Sequence, residues 1–96
     1  MNVRLTPEAE AQAEACDAWW RENRDVRDLF ARELRDTKAR LVNRPKMGTV
    51  YTILDGKQVR RVLMPTTGHH VYFVADADEV VVHAIWGASK EHGPRL

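Results

Sequence analysis

The chain changes its hydrophobic period once, near Gly48. Before that point apolar residues recur every three or four positions; after it they come in short runs bounded by turn residues. The first spacing predicts helices and the second predicts strands. Asn2 to Leu5 alternates, with Val3 and Leu5 on one side, and reads as a first strand. Thr6-Pro7-Glu8 is a helix start. Thr6 can cap, Pro7 suits a first helical position that needs no N–H, and Glu8 and Glu10 favour the positive end of the helix dipole. Ala9, Ala13, Cys16 and Trp20 then share one helical face. Trp19, about 100° further round the axis, falls at the edge of a helix pair.

Asn23-Arg24-Asp25 is a short break. Asp25 is placed to cap a second helix, with Asp28 in its first turn and Val26, Phe30, Leu34, Thr37 and Leu41 as its apolar stripe. Arg44-Pro45 ends it, because the residue before proline avoids the helical region. Two amphipathic helices joined this closely form an antiparallel hairpin.

Beyond Gly48, Thr49 to Leu54 and Lys57 to Met64 flank Asp55-Gly56, a strong two-residue hairpin signal. Such a turn sets Leu54 opposite Lys57 and Tyr51 opposite Arg60, an aromatic–arginine pair that would orient Arg60. Pro65 to Gly68 breaks the chain again. His70 to Ala75 and Glu79 to Trp86 give two more strands around the Asp76-Ala77-Asp78 turn. The whole reads as α+β, with a helix hairpin on one face of a mainly antiparallel sheet and the order β-α-α-β-β-β-β.

Val71 to Val74 and Val80 to Trp86 are apolar on both faces. Strands of that kind are covered on both. The hairpin covers one face. For the other, a partner chain is expected in preference to the short, polar C-terminal tail.

Ninety-six residues bound the chain to one expected domain over 1–96, with room for one modest core. The net charge of +1 hides an asymmetry. Residues 1–36 carry six Lys/Arg against nine Asp/Glu, whereas residues 37–96 carry nine against five. The basic excess lies in Lys38, Arg40, Arg44, Lys46, Lys57, Arg60 and Arg61, a surface able to attract phosphate or an acidic partner. The single cysteine, Cys16, excludes an internal disulfide and reads as a buried thiol. There is no signal-like start and no membrane-length apolar run, so a cytoplasmic protein without membrane contact is expected.

The four histidines lack metal spacing, and adjacent His69 and His70 on a strand point to opposite faces, so neither a metal nor another cofactor is expected. His70 with Arg60, Arg61 and Lys90 could supply the base, acid and phosphate-holding cation of RNA cleavage, although no spacing rule demands that they converge. His83, in a valine-rich strand, reads as a hydrogen-bonded, semi-buried histidine. No phosphate loop or nucleophile elbow is present.

The element order, together with VRLTPEAEAQ from Val3, DAWWRENR from Asp17, VRRVLMP from Val59, HVYF from His70 and AIWGASKEHGPRL from Ala84, resembles the ParE/RelE superfamily of type II toxin–antitoxin toxins, within a ParE-like subgroup. The resemblance implies a toxin held inactive by a cognate antitoxin in a hetero-oligomer. ParE-like members act on DNA gyrase by binding, without catalytic residues. RelE-like members cut mRNA on the ribosome, often with a tyrosine or histidine–tyrosine pair near the C-terminus. Here no tyrosine follows Tyr72, though Lys90 and His92 stand in the tail. A degenerate member would bind only its antitoxin. Arg60, Arg61, His70, Tyr72, Trp86 and Lys90 are the expected contact positions for target or antitoxin.

Overall fold

In the computed structural model, which describes residues 1–90 and 92–96, seven elements form in the expected order. They are β1 (Asn2–Leu5), α1 (Pro7–Asn23), α2 (Leu29–Asn43), β2 (Thr49–Leu54), β3 (Lys57–Met64), β4 (His69–Ala75) and β5 (Glu79–Gly87). The sheet runs β1-β5-β4-β3-β2, antiparallel except where β1 lies parallel to β5 at the edge, Val3 beside Val80 and Leu5 beside Val82.

Local chemistry fixes the helix start. The Ala9 N–H donates to Thr6 Oγ1 at 3.2 Å, which satisfies one of the free donors of the first turn, and Pro7 follows the cap. The second helix begins later than the sequence suggests. Asp28, rather than Asp25, holds the cap position, and it makes no side-chain capping bond. Its carboxylate pairs with Arg32 at 3.2 Å instead. Val26 therefore falls outside the helix and stands 49% exposed, while Phe30, Leu34, Thr37 and Leu41 keep the buried stripe. Thr37 is tolerated there because its hydroxyl donates to the Glu33 carbonyl at 2.8 Å.

These helices close one face of the sheet. Ala9, Phe30, Leu34 and Leu41 pack on Val62, Met64, Val71, Phe73, Val80, Val82 and Ile85, with Val3, Leu5, Ala13, Cys16 and Trp20 around them. A carboxylate ties the layer to a loop. Glu33 accepts from the N–H groups of Thr66 and Thr67 at 2.8 and 2.9 Å, and from the Thr67 hydroxyl at 2.6 Å. Burial raises its pKa, but these bonds to the charged form outweigh burial and the net shift is downward.

The β2–β3 turn is a two-residue loop with positive φ at both Asp55 and Gly56, and Leu54 pairs with Lys57 as expected. The strand above it departs from simple alternation. A bulge between Val50 and Thr52 sets Val50, not Tyr51, opposite Arg60. The expected Tyr51–Arg60 pair is replaced by Tyr51 with Arg61, because the extra residue re-aims the tyrosine. Gly48, at φ +80°, leads into β2 with the Arg61 carbonyl where a Cβ would stand.

Candidate functional site

On the face away from the helices, cross-strand pairing builds two rows. Arg61 lies beside Tyr72 and Tyr72 beside Ala84; Leu63 lies beside His70 and His70 beside Trp86. Tyr72 is the floor of this surface, with only 1% of its area exposed. The Tyr51 ring meets it edge-on at 4.7 Å, and the His70 ring does so at 6.0 Å. The Arg61 guanidinium carbon stands 5.5 Å from the Tyr51 ring centre, within cation–π range. Burial, then the nearby Arg61 charge, lowers the His70 pKa, so its imidazole is neutral at pH 7.

The two adjacent arginines are divided by the pleat. Arg60 pairs with Phe73, which belongs to the helix-side core, and its Nη1 donates to the Gly48 carbonyl at 3.2 Å. Only Arg61 shares a face with His70, Tyr72 and Trp86.

The tail returns over this face. Trp86 Nε1–H donates to the His92 carbonyl at 2.7 Å, and the Tyr51 hydroxyl donates to the Pro94 carbonyl at 3.1 Å. Pro94 is buried. The short polar tail, disfavoured by sequence reasoning, thus covers part of the face assigned to a partner. Backbone carbonyls make the polar part of the attachment, and the buried Pro94 ring makes the apolar part.

A second region lies at the end of the sheet, between the helix side and the Trp86 edge of the other face. Trp19, Trp20 and Trp86, the three tryptophans of the chain, line one pocket of about 510 Å³ with Arg24, His69 and Lys90. The Arg24 guanidinium sits 4.5 Å from the Trp19 ring centre and 5.6 Å from that of Trp20; the Lys90 ammonium sits 4.5 Å from Trp86. The Cys16 thiol reaches His69 Nε2 at 3.5 Å. Burial raises the thiol pKa, and burial lowers that of His69, which packs edge-on against Phe30 at 5.3 Å. Both groups are therefore neutral at pH 7, which makes the contact a packed polar pair rather than an activated thiolate.

Residues 3–92 match the family model described as the ParE toxin of the type II toxin-antitoxin system parDE. The chain belongs to that family. No curated protein matches it significantly. Family membership makes this a toxin of a type II toxin–antitoxin system, with an antitoxin as its partner.

In this ParE-family toxin, the sequence-selected positions Arg61, His70, Tyr72 and Trp86 gather on one face, Lys90 joins them through Trp86, and Arg60 stands apart. Three participants were not among the sequence-selected positions. Tyr51 reaches the site only through its bulge, which no local motif announces. Trp19 and Arg24 sit far along the chain from β5, so their meeting with Trp86 is a product of tertiary packing. The one available signal was an edge tryptophan followed by an arginine within DAWWRENR. Among the described residues, no three His, Cys, Asp or Glu side chains are placed to hold a metal ion, and no helix is long and apolar enough to cross a membrane.

Proposed function

We propose that this toxin inhibits DNA gyrase by binding, through the sheet face that carries Arg61, His70, Tyr72 and Trp86, and that its antitoxin neutralises it. The observation that supports the reading is the ParE family match over residues 3–92, because the resemblance to ParE-like members implies gyrase as the target. The geometry supports a binding mode. The buried Tyr72 packs against His70, and the Tyr51 ring packed on Tyr72 stands beside Arg61, so a partner meets groups that lose little rotamer freedom on contact. Lys90 extends the surface at its rim, above Trp86. Arg60, on the other face, contributes through its bond to the loop that leads into β2.

One observation favours a second reading, a RelE-like ribosome-dependent mRNA endoribonuclease. His70 is neutral and beside a fixed arginine, a base next to a phosphate-binding cation. The experiment is induced expression without antitoxin, with DNA supercoiling and transcript integrity followed in the same cells, for wild type, Arg60→Ala and Arg61→Ala. Gyrase-linked DNA damage with intact transcripts, reduced at least about tenfold in the folded Arg61→Ala protein, is the expected outcome for a central arginine contact. Cleaved transcripts with normal supercoiling would transfer the assignment to the nuclease. Undiminished damage with Arg61→Ala would remove this face from the gyrase contact.

A further inference from the structure

The three-tryptophan pocket shares Trp86 and Lys90 with the proposed sheet-face surface, but Trp19, Trp20 and Arg24 have no part in that surface. Its walls are indoles, and its two charged groups, Arg24 and Lys90, are both cations; none of the described lining residues is acidic. His69 adds no charge at pH 7, because burial holds it neutral. Trp19 stands 46% exposed at the rim, and Arg24 is stacked on it, with no carboxylate paired to it among the described residues. An exposed tryptophan beside a stacked arginine has the composition of a binding hot spot. The positive, apolar cleft is complementary to a negative, apolar segment.

We propose that this pocket receives an acidic segment of the antitoxin, one apolar side chain seated among Trp19, Trp20 and Trp86 and flanking carboxylates paired with Arg24 and Lys90. The inference rests on the toxin–antitoxin reading of the chain and is independent of gyrase as the target. Neutralisation then anchors at the end of the sheet, where the helix side adjoins the Trp86 edge of the Tyr72 face. It still reaches the tail, because Lys90 and Trp86 belong to both regions. An antitoxin seated here holds the base of the tail while the sheet face lies beyond it.

The test is calorimetric titration of the purified antitoxin into wild-type toxin, Trp19→Ala and Arg24→Glu. Thermal melts check that each variant is folded. Trp19 is half exposed, and the helix is capped by the backbone N–H of Arg24, not its side chain, so both changes spare the core. Arg24→Gln replaces Arg24→Glu should the reversal fail to fold. Each variant is expected to raise Kd at least about tenfold, as hot-spot truncation does. The arginine variant should also flatten the dependence of Kd on salt, because a screened charge pair has been removed. A Kd within twofold of wild type for either folded variant overturns the proposal. Inhibition of gyrase supercoiling by the free toxin is measured alongside. Wild type failing there would count against the gyrase reading and leave the antitoxin titration to judge the pocket.

Discussion

The two faces of the sheet share strands β2 to β5 yet differ in how they are closed. Toward the helices, Val62, Met64, Val71, Phe73, Val80, Val82 and Ile85 meet Phe30, Leu34 and Leu41 in a continuous apolar layer. On the other side the described buried set is smaller, Val59, Tyr72, Val74, Val81 and Ala84, edged by Tyr51, Leu54 and Trp86 and roofed in part by a tail on two hydrogen bonds. Hydrophobic burial scales with area, so the helix side carries most of the fold's stability. The other face is then free to hold arginine, histidine and exposed aromatic edges. That division lets one chain of 96 residues carry both a core and a contact surface.

The comparison breaks most directly at matched leucines. Leu41 is fully buried under the helix layer, and its truncation leaves a cavity that neighbouring side chains cannot fill. Leu41→Ala is expected to cost about 2–5 kcal/mol. Leu54, half-buried on the other face, should lose about 1 kcal/mol on truncation, in proportion to the smaller area removed from water. Urea unfolding of the two variants checks this. Equal losses would mean that the second face is as much core as the first.

The helix-side face was also the more legible one in the sequence. Its positions obey simple periods, 3.6 in the helices and 2 in the strands, so Phe30, Leu34, Leu41 and the valines of β4 and β5 could be assigned by counting. The functional face was legible only where alternation held. His69 and His70 were assigned to opposite faces, and they lie so: His69 meets Phe30 while His70 meets Tyr72. Where a bulge intervened, counting failed, and Tyr51 was matched with Arg60 rather than Arg61. A second bulge in β5 leaves His83 without a partner in the β4 register, again invisible to a period of 2. The tail was misjudged for another reason. Its polarity argues against packing, whereas it attaches by burying Pro94 and by accepting hydrogen bonds at the His92 and Pro94 carbonyls.

That attachment gives a sharper and smaller perturbation. A Cβ on Gly93 would run into the Tyr51 hydroxyl, so Gly93→Ala should lift the tail and free that hydroxyl from Pro94. The expected cost is about 1 kcal/mol, the net worth of a hydrogen bond. The more telling readout is optical. Trp86 loses its carbonyl partner and its emission should shift to the red, while the helix-side core, probed by amide exchange at Leu41, stays protected. Loss of protection at Leu41 would show that the tail and the core form one cooperative unit.

The smallest expected effect separates the faces by pH. His69 and His70 both have folded pKa values lowered from the ordinary imidazole value, His69 by burial and His70 by burial and then by Arg61. A lowered histidine pKa means that the unfolded chain binds protons that the folded chain refuses. Stability therefore rises with pH across that interval. It is fully present above about pH 6.5, the unfolded imidazole value, and is lost as pH falls toward the lower folded values. The Glu33 carboxylate, also lowered, acts in the same direction but in the more acidic range where carboxylates titrate, so the histidine window can be read by itself between about pH 5 and 6.5. Within that window the faces should differ. His69 is wedged between Phe30 and Cys16 on the core side, whereas His70 stands on the more open face. His69→Gln should thus remove more of the pH slope than His70→Gln, measured by urea midpoints at several pH values. An equal loss from both would mean that burial and Arg61 together penalise His70 as heavily as burial penalises His69, and the face described as open would then be electrostatically as closed as the core.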